Sequence, residues 1–444
     1  MKKNIPFLKN KYVRFLIPVI LFVISAILII EMTSTIAAGM FQILLLLFGV
    51  YLISRGLKEP YIFNPYLFFA ICPLTLALYF PKISEYYLLE LSISTHFYAL
   101  INMFMFYFGM EITKRIKLFH GKQELFSSYR WSDSIRDKDV ANWSLFFSII
   151  GFLPAAYALI AGTLAEWNNL KVYASSFPIY AIIAYFPYIG IALAIFSGKK
   201  SVKTIAILLG GIATLVSLTK TMVMFFLIAI LFAVERVNKG KGIKKLMILG
   251  CVALMLFSVL DEVYNVIRNA TQYEQLWLSR SSDILTVSQL KTYLYFETPW
   301  CNLEYILSNF SEHSYGLWTL KPVLTLLRVD VLFADVYTSL EPYTTFNALG
   351  YLIYLYHDFG YLGSCIAVML LGCFVSFFYE KGKVNRNPFL AIIVMMVLRA
   401  VMMMFFNLHF NTEIYVLVCI ILMLLVNWIG RRKNYVYMER KYEN

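Results

Sequence analysis

Charge is scarce in this chain. Only 15% of its 444 residues are Asp, Glu, Lys or Arg, 60% are hydrophobic, and the mean hydropathy is +0.69. A soluble protein of this length could not cover its surface with so few charges. Long polar stretches are lacking as well, apart from one at 263–342, which leaves no room elsewhere for an extended soluble domain. There is no Walker motif, dinucleotide fingerprint or zinc-ligand spacing, so the commonest nucleotide and metal signatures are excluded. Cysteine is sparse. Cys72, Cys251, Cys365, Cys373 and Cys419 fall in apolar runs as small core residues. Cys301 stands alone in the polar segment, where it cannot close an intraloop disulfide. No internal repeat is detectable, which argues against a transporter built from inverted halves.

What is present is a succession of apolar runs close to the length needed to cross a bilayer. They lie at 15–30, 35–54, 65–81, 95–112, 141–163, 177–197, 204–219, 221–235, 246–261, 361–379, 388–406 and 412–429. The expected fold is therefore all-α, a polytopic membrane protein of about twelve transmembrane helices. The first run is long for a signal peptide and reads as the first membrane helix. Three regions follow: helices one to nine at 1–262, a large loop at 263–342, and a re-entry helix with helices ten to twelve at 343–444.

The net charge is +13, from 39 Lys and Arg against 26 Asp and Glu. Most of the basic residues fall in short segments at 1–14, 55–64, 114–140, 198–203, 236–245, 380–387 and 430–444. The positive-inside rule makes those segments cytoplasmic, both termini included, and puts 263–342 outside, between the ninth and tenth helices. The basic excess belongs to that orientation signal, so no nucleic-acid partner is expected and membrane lipids are.

Candidate chemistry collects at the outer side. The cations are Arg268 just past the ninth run, Arg399 inside the eleventh, Arg280 and Arg328 in the loop, and Lys220 at the tip of the hairpin formed by the seventh and eighth runs. An Arg fork suits a diphosphate, because it donates to two oxygens at once. The alternative reading of Arg399 and of Lys220 is a snorkelling anchor. The acid and base candidates are Glu297, Glu304, His313, His357, Asp358 and His409. Asp358 could instead cap the helix after it. Tyr273, Trp277, Tyr293, Tyr295, Trp300, Tyr305, Tyr315 and Trp318 would stack on sugar rings or sit at the membrane interface.

Within the loop, 285–310 has amphipathic stretches broken by Pro299, and 322–334 is apolar but too short to span, so it lies on the membrane or dips into it. After the loop, Asn347, Tyr351, Tyr354 and Asp358 share one helix face, with His357 about a quarter-turn away. Gly360 and Gly363 permit a break before the next span.

The segment FNALGYLIYLYHDFGYLG followed by LGCFVSFFYEKG, with a large outer loop before it, resembles bacterial oligosaccharide repeat-unit polymerases of the Wzy type, which build O-antigen and capsule. Arg268 after the ninth run and the hairpin tip before it fit that pattern. Many such proteins have Arg at the tip where this chain has Lys220. The resemblance implies a GT-C-like, metal-independent glycosyltransferase with no cofactor in the bacterial inner membrane. It would move a glycan from undecaprenyl diphosphate onto a new undecaprenyl-diphosphate-linked oligosaccharide, with a chain-length regulator as partner. It implies catalytic roles for Arg268, Arg399, His357, Asp358 and His409. Substrate contacts would come from Lys220, Arg280, Arg328, Tyr351, Tyr354 and Trp300. An O-antigen ligase would share this architecture, and a lipid-linked oligosaccharide flippase is the alternative from another class.

Overall fold

The computed structural model describes residues 19–25, 27, 35–84, 87–116, 137–160, 182–217, 220–238, 287–310, 312–338, 343, 349–384, 387–407 and 417–426. Among these, every regular element is helical. The elements used below are α1 (Thr35–Gly56), α2 (Pro65–Phe69), α3 (Ile71–Ala77), α4 (Ile93–Arg115), α5 (Asp137–Ile160) and α6 (Phe186–Ser197). They continue with α7 (Lys200–Ser217), α8 (Lys220–Val237), α9 (Val287–Asn309), α10 (Leu317–Leu326), α11 (Gly350–Val384), α12 (Pro388–Met402) and α13 (Leu417–Val426).

Four of the described helical stretches are long and apolar enough to cross a membrane: Gly39–Gly56, Lys138–Ile160, Lys200–Ser217 and Gly350–Lys383. Pro65–Ala77, Phe186–Ser197, Pro388–Met402 and Leu417–Val426 are apolar but shorter. Large apolar side chains are exposed along these helices, Ile43, Val50, Leu215, Leu362 and Leu370 among them, as a lipid-facing surface requires. The ninth apolar run, 246–261, lies outside the described residues.

Local chemistry sets the helix ends. Asn387 accepts from the Phe389 amide at 2.9 Å with Pro388 in the first turn of α12, and Ser92 accepts from Thr95 N at the start of α4. Lys114 and Arg115 close α4, where cations favour the carbonyl end. The run at 65–81, expected as one crossing, is instead the two short helices α2 and α3, joined at Ala70. Asn64 caps the first of them, and the pair still reaches from one end of the bundle to the other: Phe63 N donates to Glu235, while Thr75 meets Trp300.

α4 and α11 run parallel and form the most intimate pair. Ser376 donates to Met110 O at 3.0 Å, Thr113 donates to Cys373 O at 3.3 Å, and Tyr98 donates to Leu352 O at 3.2 Å. Gly109 and Gly372 allow this approach, because each presents bare backbone to the other helix. α11 bends at Gly360, whose φ of 64° and ψ of −165° suit only glycine. The bend separates a buried half-helix, 350–359, from the long apolar part, so the expected break is present.

The two ends of the bundle differ. At one end the C-terminal turns of α1, α4, α8 and α11 meet. Glu59 bonds Lys114 at 2.7 Å and Lys383 at 2.8 Å, Arg55 pairs with Glu111 at 3.3 Å, and Arg236 donates to Gly382 O at 3.0 Å. Burial works against the Glu59 charge, but Lys114 and Lys383 outweigh it and hold the carboxyl below its usual range. The opposite end carries α9 and α10.

α9 runs unbroken through Pro299, contrary to the break expected there. Proline forfeits one helical hydrogen bond. Bonds on either side hold the helix in place: Tyr293 with Leu78 O, Trp300 with Thr75, and Glu304 with Ser92. From the last residue of α10 runs an exposed ridge of Leu326, Leu327, Val331 and Leu332, in keeping with a segment lying against lipid.

Candidate functional site

The half-helix ahead of Gly360 carries the buried His357 and Asp358. Its residues Tyr351 to Asp358 are all buried. The chain just before α10 wraps its last turn. His313 lies against Gly360, where a Cβ would come within 2.9 Å of the ring, and meets Tyr356 edge-on at 5.6 Å. Ser314 N donates to His357 O at 2.8 Å.

Asp358 is 1% exposed and accepts four hydrogen bonds. Ser314 Oγ donates to Oδ1 at 2.5 Å and Trp318 N at 3.0 Å, while Thr319 N and Thr319 Oγ1 each donate to Oδ2 at 2.6 Å. α10 starts from Gly316 in the left-handed region with no side-chain cap of its own. Asp358 supplies that cap from across the fold, where a carboxylate answers both the free amides and the helix dipole. It therefore caps α10 rather than the helix that follows it in sequence, and its acceptor sites are full.

His357 is 6% exposed, and its Nδ1 lies 3.0 Å from Ser314 Oγ. Ser314 thus stands between the imidazole and the carboxylate. Glu304, on α9, takes bonds from Ser92 N at 2.8 Å, Ser92 Oγ at 2.9 Å and Ser308 Oγ at 3.0 Å. Burial alone would raise its pKa; these donors, with Thr95, bring it below the usual carboxylate range, so Glu304 is an anchored anion. Glu297, two turns earlier on the same face of α9, is 2% exposed and is pushed up to about 9 by burial, so it carries its proton at neutral pH.

Arg399 is 2% exposed, and its guanidinium sits 4.4 Å from the Phe225 ring centroid and 6.0 Å from that of Tyr185. It does not snorkel: its charge is inside, among α6, α8 and α12. The turn after α12 is tied to the half-helix, because Tyr351 N donates to Met404 O at 2.9 Å and Gly350 N to Phe406 O at 3.0 Å.

The other expected site residues separate. Trp300 is 4% exposed and donates its indole N–H to Thr75 Oγ1, which makes it a core residue with no open face for a sugar. Tyr351 and Tyr354 are likewise in the core, Tyr354 against Trp318 at 5.0 Å. Arg328 is exposed, in the left-handed region at φ 58°, just past the C-terminal end of α10. Lys220 opens α8. Arg268, Arg280 and His409 lie outside the described residues, as does Asn347.

Ser314 and Thr319 were not anticipated. The signal available was a Ser two residues before Gly316 and an apolar run, which marks a helix start but not its distant cap. Among the described residues no group of three or more His, Cys, Asp or Glu is placed to hold a metal ion. The fold defines an α-helical membrane protein. No protein-family model, curated protein or solved structure matches the chain.

Proposed function

We propose that this protein is a membrane-embedded glycosyltransferase that polymerises oligosaccharide repeat units carried on a polyprenyl diphosphate such as undecaprenyl diphosphate. In this reading the chain has about twelve spans, the α9–α10 end is extracytoplasmic, and the basic end faces the cytoplasm of a bacterial inner membrane. The observation that carries it is His357, a buried imidazole fixed through Ser314 to Asp358 at the end that bears the loop.

His357 takes the proton from the acceptor sugar hydroxyl as its oxygen bonds to the donor's anomeric carbon. The bond from that carbon to the diphosphate breaks, and the diphosphate leaves with the electron pair. Cations stabilise the departing charge; Arg268 and Arg399 are assigned this role. Asp358 acts at one remove, because its acceptor sites are occupied.

The test is elongation of a defined polyprenyl-diphosphate-linked oligosaccharide by the purified protein in nanodiscs. Products longer by whole repeat units, lost in His357→Ala, are expected. Transfer only to a lipid-A core acceptor would make the protein a ligase. Movement of intact lipid-linked units across the membrane without new linkage would make it a flippase.

A further inference from the structure

The hydrogen bonds around Ser314 bear on the protonation of His357, and they rest on the reading of that histidine as the base. Asp358 receives four donors. Two are backbone N–H groups, which can only donate. The Ser314 hydroxyl, at 2.5 Å from Oδ1, has one proton, and that proton is committed to the carboxylate. A hydroxyl oxygen whose proton is spent can only accept. The Nδ1 of His357, 3.0 Å from Ser314 Oγ, must then be the donor. The longer alternative, from Ser314 Oγ to His357 O at 3.4 Å, would abandon the shortest bond in the group.

We infer that Ser314 is a positioning residue, which holds neutral His357 in its Nδ1–H tautomer and so leaves the lone pair on Nε2 to receive the proton of the acceptor hydroxyl. A neutral imidazole keeps one ring proton, and the bond made by one nitrogen decides which. Ser314 also donates its backbone N–H to His357 O at 2.8 Å, so serine and histidine are joined at two points and the ring's anchor cannot drift. Asp358 is committed to Ser314 and to the first turn of α10, and thereby relays its charge to the ring without touching it. Glu312 and His313 are the other titratable groups acting on His357, and neither bonds Nδ1.

The experiment is ¹⁵N spectroscopy of the full-length protein in nanodiscs, labelled at its five histidines, with His357→Gln to assign the signal. Wild-type His357 is expected to show a protonated Nδ1 and a bare Nε2. Ser314→Ala should lose that pattern, and its kcat for elongation should drop about tenfold or more with KM unchanged. Ser314→Thr, which keeps the hydroxyl, should retain both. A proton on Nε2 in the wild type, or an unchanged spectrum in Ser314→Ala, overturns the assignment whatever the variant's stability. If the wild type elongates nothing but the spectra behave as expected, the transferase reading falls and the role of Ser314 stands.

Discussion

Gly109 of α4 rests directly on Met369 of α11: a Cβ on the glycine would lie 2.1 Å from the Met369 carbonyl oxygen. Gly372 answers from the other helix, where a Cβ would lie 2.3 Å from Phe106 O. Both obstacles are backbone, so neither can turn aside. Gly109→Ala and Gly372→Ala should each lower stability by about 1–3 kcal/mol. Gly39→Ala, where nothing lies within 4 Å, should not. Thermal unfolding of the three variants in one detergent decides it; an unshifted Gly109→Ala would mean that the helices do not touch there.

Asp358 should matter for architecture first. Asp358→Ala leaves Trp318 N, Thr319 N and two hydroxyls without their acceptor, and a cost on the order of 3 kcal/mol follows. Hydrogen exchange across 312–326 should rise in this variant while exchange across α4 stays low. Equal rises in both would point to general unfolding instead.

Glu297 gives a pH dependence. Burial raises its pKa to about 9 in the folded protein, so the proton is held there and given up more readily on unfolding. The stability it supports is complete below the ordinary carboxylate range and is lost as pH rises through about 9. Glu297→Gln, neutral throughout, should flatten that decline, and at pH near 9 should unfold at a higher temperature than the wild type. A wild-type profile as flat as that of the variant would show that Glu297 ionises freely.

Arg399 lies against Phe225 with its charge indoors. If it stabilises the departing diphosphate, Arg399→Ala should cost about 10²–10³ in elongation rate while the protein still inserts and accumulates. Arg399→Lys keeps the charge but loses the fork, so activity should fall substantially. Polymer of normal length from Arg399→Ala would reduce the residue to a packing cation.

Sidedness can be read with single cysteines. Cys301 is unsuited, because it is buried, with its thiol between Tyr87 O and the Leu89 amide. Glu312→Cys and Lys58→Cys, both exposed and at opposite ends, should react from outside and from the cytoplasm respectively. Reaction of both from one side would overturn the orientation.

Much of the membrane architecture was legible because the bilayer demands long apolar runs, and these show in the sequence whatever packs beside them. Gly360 was legible as a break for the same local reason. The 65–81 run was less so, since hydropathy measures length and greasiness but not the joint at Ala70. At the site, His357 and Asp358 stood out as polar groups at a helix break. Ser314, 43 positions away from His357, could be tied to it only by the tertiary fold. Trp300 shows the opposite limit: an aromatic that could stack on a sugar and one that fills a core are the same letter, and only burial separates them.

Glu59 has a mechanical meaning beyond its ion pairs. One carboxylate clasps Lys114 and Lys383, and so ties the final turns of α4 and α11 to the loop after α1. At the far end the same helices are joined through neutral contacts, such as Tyr98 with Leu352 O. The pair is thus fastened by charge at the basic end and by neutral contacts at the other. Loss of the Glu59 carboxylate would therefore loosen the first fastening and leave the second in place.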